Sequence, residues 1–245
     1  MTDYTPGWAP DMLAMLTART AAERAGFLLP LLAPGQRVLD LGCGPGTITE
    51  GLADAIAPDG VLLGVDREHT QLQLARSAVP AHFAAARADA LPIATHTLDV
   101  AFAHAVFEHL PDPGFALTEL RRVLRPGGLL ALSSSDWSGA LLDPHTADVD
   151  RALAGHYRLR REAGGDPFIG GRLADLVRAN GFASVRAQAH QRVDMTYRQL
   201  ADYVHVRLSA AGDTAGAEAA ARWAEQDGRF IQRWVEVTAH APTTD

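Results

Sequence analysis

The chain of 245 residues contains no lysine, and all 22 of its basic side chains are arginine. Without a lysine amine there is no Schiff-base nucleophile and no P-loop lysine to meet a nucleoside triphosphate. Cysteine is nearly absent too. The single Cys43 cannot form an internal disulfide, and one thiolate cannot build a metal cluster. No apolar run approaches the roughly 20 residues that a membrane-spanning helix needs. The first dozen residues carry an early acid and no basic n-region, so neither a membrane span nor a signal peptide is expected, and the expected setting is cytoplasmic. A net charge of −7 offers no basic face for nucleic-acid phosphates. The arginine and alanine bias reads as genome composition.

What is present is alternation. Arg37 to Leu41 (RVLDL) is a short β-favouring run that ends in the glycine cluster Gly42 to Gly46, a buried strand entering a tight turn. Residues Thr47 to Ile56 place Ile48, Leu52, Ala55 and Ile56 at helical spacing. Val61 to Val65 is a second strand, closed by Asp66, and a helix over Thr70 to Ser77 follows. Further strands are predicted at His82 to Ala86, Leu98 to Ala103 and Leu129 to Ser133, with a helix over Gly114 to Leu124 before the last of these. Beyond Ser135 the spacing predicts helices over Asp148 to Arg161 and Arg172 to Asn180, then a strand over Phe182 to Val193. A helical stretch from Tyr197 to Gln226, broken near Gly212, leads to a final strand over Phe230 to Ala239. Such β-α alternation implies a parallel sheet with helices on both faces and its ligand at the carboxyl ends of the strands. No internal repeat and no linker divides the chain, so 1–245 is expected to be a single domain.

Three features fall at those strand ends. The turn Asp40-Leu41-Gly42-Cys43-Gly44-Pro45-Gly46 permits close backbone approach ahead of a helix N-terminus. Asp66, twenty residues past Gly46, stands where an acid accepts from ribose hydroxyls in dinucleotide-type folds. Asp89-Ala90 can offer an acceptor and an N–H to an adenine edge. A nicotinamide dinucleotide would call for a third glycine where Thr47 stands. The alternatives are structural: a capped turn for each aspartate and a plain tight turn for the glycines.

VLDLGCGPGTIT resembles motif I of class I S-adenosylmethionine-dependent methyltransferases, in particular the ubiquinone/menaquinone-biosynthesis-like group. LGVDRE, ADALPIATHTLDVAFAHAVFEHLPDP and LRRVLRPGGLLAL resemble the motifs that follow. The resemblance covers roughly Arg19 to Leu132. It implies a Rossmann-like, seven-stranded, mostly parallel sheet with the last strand antiparallel. It also implies S-adenosylmethionine as cofactor and a small-molecule acceptor. Residues 1–34 would form N-terminal lid helices, 35–135 the cofactor core, and 136–245 the substrate side. Matched onto this chain, Gly42, Gly44 and Gly46 would cradle the methionine portion, with Asp40 orienting the loop or reaching the amino group through water. Asp66 would hold the ribose, Arg67 would flank the adenine, and Asp89 with Ala90 would read its edge. His104 would sit beside the sulfonium.

Methyl transfer to oxygen or carbon also requires a proton to leave the acceptor. His104 and His109 are the candidate bases. On a short helix, His104 and Glu108 would share a face, either within a site or paired with each other; no spacing suggests a metal site. Tyr4, Trp8 and Arg19 on the lid are candidate contacts to cofactor or acceptor, and Asp136 and Trp137 after the fifth strand are candidate acceptor contacts. His145, His156, Tyr157, Tyr203 and His205 are further candidates that nothing in the sequence ranks. An S-adenosylmethionine binder that transfers no methyl group would carry the same motifs.

Overall fold

Leu39, Leu41, Val65, Val100 and Phe102 are buried on continuous apolar strands, the pattern of a parallel sheet covered on both faces. The computed structural model describes residues 17–243. Its strands are β1 (Arg37–Leu41), β2 (Val61–Asp66), β3 (His82–Ala85), β4 (Leu98–His104), β5 (Leu124–Asp143), β6 (Ala183–Arg192) and β7 (Arg229–His240). They form one seven-stranded sheet in the order β3-β2-β1-β4-β5-β7-β6. β7 runs antiparallel to both of its neighbours, and β1 to β5 are mutually parallel. This is the Rossmann-like sheet expected, with its last strand reversed.

Helices cover both faces because each strand alternates its side chains between two apolar layers. On one face Val38, Phe102 and Ala131 pack with Leu28 and with Ile48 and Leu52 of α2 (Thr47–Ile56). A short helix, α1 (Ala21–Arg24), lies against α2, where a Cβ on Gly51 would come within 2.6 Å of Ala21. On the other face Leu39, Ala101, Leu130 and Leu132 pack with Leu117 and Leu120 of α4 (Pro113–Val123), and with Leu173 and Val177 of α6 (Leu173–Ala179). α3 (His69–Ala78) connects β2 to β3. α4 starts where it does because Asp112 accepts from the Gly114 N–H and Pro113 occupies the first turn.

A third layer stands over the carboxyl end. α5 (Ala147–Glu162), α7 (Tyr197–Ala210) and α8 (Thr214–Ala224) bury Val149, Leu153, Leu200, Val204 and Trp223 in a separate apolar cluster. Phe230 of β7 belongs to that cluster. β5 and β7 pair on past the sheet, Leu141 with Ile231 and Leu142 with Phe230, after a register break beyond Asp136. The sequence pattern ends the fifth strand at Ser133, where the apolar run stops. The ladder to β7 carries it ten residues further. The expected helical stretch from Tyr197 to Gln226 is two helices separated at Gly212, whose φ is +74°. Among the described residues no helix is long and apolar enough to cross a membrane.

Trp223 is fully buried and meets Tyr197 edge-on, with ring centroids 5.4 Å apart. Trp223→Ala is expected to cost about 3–5 kcal/mol in urea denaturation. A loss under about 1 kcal/mol would show that the cap does not fold as one unit with the sheet.

Candidate functional site

The loops after β1 and β4 meet over the sheet's carboxyl edge. Gly42, at φ +73°, donates its N–H to Val65 O at 2.6 Å. A Cβ at Gly42 would lie 2.3 Å from Val106 Cγ2, so only glycine permits this contact between the two loops. Gly44, at φ +53°, has open space where its Cβ would be, whereas Gly46 packs on Ala75 and Val79 at the start of α2. A cavity of about 420 Å³ opens beside the turn. Gly42, Gly44, Asp66, Arg67, Asp89 and His104 are among its lining residues.

Asp40 is not. Its carboxylate is buried beneath the turn, where Oδ2 accepts from Thr49 Oγ1 at 2.7 Å. Burial holds the Asp40 carboxyl up at about 7, a rise that the Thr49 hydrogen bond reduces and the neighbouring Asp66 adds to. Asp40 therefore ties the glycine turn to α2 and does not itself face the cavity. Gly46 does not line it either, being taken up by helix packing. Asp66 is anchored from behind: Oδ2 accepts from the Gly44 N–H and Oδ1 from the Glu68 N–H, both at 2.9 Å. Burial raises its carboxyl above the ordinary value, and these backbone donors pull it back. Each Asp66 oxygen keeps a further lone pair.

Arg67 reaches the cavity and holds Glu68 Oε1 at 3.1 Å. Asp89 also lines it, gripped in two-point fashion by Arg87, whose hydrogen bonds keep the carboxyl below its usual range. Ala90 does not offer the expected donor. Its N–H is spent on Arg87 O at 3.2 Å, and Ala88 and Asp89 face the cavity in its place.

His104 ends β4, buried, with neither ring nitrogen hydrogen-bonded. It stacks on Trp234, centroids 4.7 Å apart and planes 19° off parallel. Burial holds the imidazole well below its ordinary value, aided by the positive charges of Arg19, Arg24 and Arg192. His109, in the one-turn helix Phe107–His109, also lines the cavity and is likewise kept neutral, by burial and then by Arg160. The helix face that His104 and Glu108 were to share, within a site or as a pair, does not form. His104 belongs to the strand, and the buried Glu108 accepts from Ser134 and Ser135 of β5, the latter at 3.1 Å.

The candidate acceptor contacts separate. Tyr4 and Trp8 lie outside the described residues, and Arg19 lines the cavity. Asp136 is part of β5, fully buried, and accepts from Ser138 N and Oγ with Arg233 at 3.5 Å. Trp137 sits in the cap, stacked on Phe230 and beside His156 and Tyr157. Neither Asp136 nor Trp137 lines the cavity. His145 pairs with Asp150 at the surface, and His205 bonds the Ala217 carbonyl. His156, Tyr157 and Tyr203 come together under the cap.

Sequence reasoning missed Gln71 of α3. It lines the cavity, is buried, and its Oε1 has no partner. The signal was a polar residue beside Leu72 and Ala75 on the buried face of its helix.

Two predictions follow from these environments. At Gly44 an added Cβ meets no atom within 4 Å. Gly44→Ala should therefore cost only the about 1–2 kcal/mol of its left-handed backbone, with any cavity ligand weakened about tenfold or more. The second concerns pH. Burial lowers His156 from 6.5 to about 3, and His104 and His109 are also lowered. Below pH 6.5 the unfolded chain takes up these protons and the native state does not, so stability falls as pH falls. Asp40, raised to about 7 in the native state, and Asp66, also raised, act in the opposite sense as pH falls toward 3.8. At about 1.4 kcal/mol per group per pH unit, three histidines outweigh two aspartates. Urea titrations should lose about 1–3 kcal/mol between pH 6.5 and 5.5, and His156→Phe should flatten that slope.

A methyltransferase-domain family model matches residues 39–132, the segment that builds this cavity. An uncharacterized 37.1 kDa protein in transposon TN4556 of Streptomyces fradiae is 38% identical over 154 residues, covering 61% of this chain and 44% of its own length. The chain thus spans less than half of that relative. Trans-aconitate 2-methyltransferase of Methylobacterium radiotolerans is 36% identical over 191 residues, covering 77% of this chain and 70% of that protein. Among solved structures, Haemonchus contortus phosphoethanolamine N-methyltransferase 2 in complex with S-adenosylhomocysteine superposes with a TM-score of 0.58 at 17% identity. The match covers 86% of this chain and 50% of that one, a likeness of fold. Sheet order, glycine turn and family match agree, and the chain belongs to the class I S-adenosylmethionine-dependent methyltransferases.

Proposed function

We propose that the protein transfers the methyl group of S-adenosylmethionine to an oxygen, nitrogen or carbon atom of a small-molecule acceptor. The observation that carries this reading is His104: buried, neutral, and with both ring nitrogens unpartnered at the wall of the cavity. Together with the unpartnered Gln71 Oε1 and the open approach at Gly44, it suits a ligand rich in hydrogen-bonding groups. S-adenosylmethionine, when bound, supplies an electrophilic methyl group on a positively charged sulfur.

The chain's own residues do the rest. Gly42 and Gly44 present backbone to the methionine portion, and Asp66 accepts from the ribose hydroxyls through its remaining lone pairs. Arg67 and Asp89 border the adenine. His104, kept neutral by burial and by the arginines behind it, can receive the acceptor's proton on a ring nitrogen, with His109 the second candidate. The cap helices exclude water and align the acceptor, which lowers the barrier to in-line displacement.

In this reading the chain is one functional unit. Residues 35–135 hold the cofactor, and the part of the chain that follows supplies the acceptor side. The named acceptor of the Methylobacterium relative, trans-aconitate, supports the small-molecule class. The closer likeness to ubiquinone- and menaquinone-biosynthesis-like enzymes rests on the motif strings of residues 19–132.

Calorimetric titration should give micromolar binding of S-adenosylmethionine and S-adenosylhomocysteine and no binding of NADH. Acceptor turnover should then release S-adenosylhomocysteine. His104→Gln is expected to hold S-adenosylhomocysteine within a few-fold of wild type while lowering turnover by about 10²–10⁴. NADH binding with silence toward both adenosyl ligands would overturn the reading. Adenosyl binding with no turnover across acceptor classes would favour a binder that transfers nothing.

A further inference from the structure

One buried cation has no counter-charge. Arg160, in the last turn of α5, is 7% exposed, and its Nε and Nη2 have no hydrogen-bond partner. No carboxylate among the described residues lies within salt-bridge distance of it. Two half-buried arginines behave differently: Arg24 holds Asp194 at 2.6 Å and Arg122 holds Glu119 at 2.7 Å. A guanidinium keeps its charge at any physiological pH, so it cannot escape burial by losing a proton.

Its surroundings deepen the imbalance. His156 and Tyr157 stand four and three residues before Arg160, on the same face of α5, and Tyr203 reaches in from α7 with its ring 5.6 Å from His156. Burial keeps all three neutral; besides Arg160, the cation Arg207 acts on His156 and Tyr203, and the acid Asp150 acts on Tyr157 in the opposite sense. The buried acid beside the turn after α5 is Glu108, whose backbone carbonyl takes the Asp166 N–H and whose carboxylate is committed to Ser134 and Ser135. The turn after α5 packs on Glu108 and Pro111, so this side-chain cluster adjoins the wall of the cofactor cavity at His109. Arg160 is also the foremost charge acting on His109.

We propose that Arg160 is the acceptor-recognition residue and that it binds a carboxylate on the methyl acceptor, with His156, Tyr157 and Tyr203 around the adjoining part of the molecule. The proposal rests on the methyl-transfer reading above, to which it adds the substrate class. A planar, five-donor guanidinium matches a carboxylate at two points and is worth most where water is excluded. An acceptor lacking the negative charge would leave the guanidinium unpaired, so discrimination comes from the acceptor's own charge.

The test uses benzoate as probe, with benzamide and inorganic phosphate as controls, read as thermal shift and by calorimetry on the full chain with and without saturating S-adenosylhomocysteine. Benzoate is expected to raise Tm saturably, and benzamide and phosphate are not. Arg160→Met should weaken benzoate at least tenfold and leave S-adenosylhomocysteine affinity within about twofold. Because it removes an unpaired buried charge, Arg160→Met should also raise the ligand-free Tm by about 2–4 °C. Equal responses to benzoate and benzamide would overturn the proposal. So would a preference for phosphate, or an Arg160→Met variant that loses stability yet keeps benzoate. Wild-type protein that fails to bind S-adenosylhomocysteine would count against the methyl-transfer reading instead, whatever benzoate does.

Discussion

From β1 the chain builds outward in two directions. β2 and β3 are added on one side, then the chain crosses back and adds β4 and β5 on the other. At that reversal the loops leaving β1 and β4 have no common helix to fill the space between them, and a crevice opens at the carboxyl ends. The lining of the cavity beside the glycine turn is placed by that reversal. Gly42 and Val106 touch across it, Asp66 reaches the turn from the next strand, and His104 is carried there as the final residue of β4. A side chain at Gly42 would separate the two loops and remove the crevice's floor.

Holding polar groups at such an edge costs stability unless each finds a partner, and the pattern of partners divides the site into support and surface. Asp40 and Glu108 are satisfied by Thr49 and by Ser134 and Ser135, Asp136 is held at one oxygen by Ser138 with Arg233 near the other, and they stiffen the frame. His104, Gln71 and Arg160 keep open hydrogen-bonding capacity where a ligand would lie. Behind His104 a second chain of contacts fastens the N-terminal segment to the far side of the sheet. Trp234 stacks on the imidazole and donates to Asp194, which holds Arg24 of α1, while Arg192 donates to Glu23 O. These arginines hold the segment in place and add to the burial that keeps the imidazole uncharged.

The sequence made the cofactor half readable because its signals are local. RVLDL and Thr47 to Ile56 carry their strand and helix periods within ten residues, and the structure reproduces both boundaries. The length of β5 was not readable, since residues 134–143 become strand only by pairing with a β7 that lies about ninety residues later. Asp136 and Trp137 were expected as acceptor contacts from their place after an apolar run. The ladder buries Asp136 in the sheet, and Trp137, in its register break, packs half-buried in the cap. Ala90 failed for a different reason: its N–H closes a turn on Arg87, which residue types alone do not reveal. Arg160 left a trace that was passed over. It follows Val149, Ala152, Leu153 and His156 along the buried stripe of α5, a position where an arginine contradicts the pattern.

The account turns on a neutral, unpartnered imidazole facing the ligand space, and nitrogen NMR of His104 in ¹⁵N-histidine-labelled protein tests it most directly. The two ring nitrogens should report one protonated and one bare nitrogen from pH 8 down to pH 5.5, and adding S-adenosylhomocysteine should shift at least one of them. A ring that titrates near 6.5, or one that does not respond to the ligand, would contradict the account.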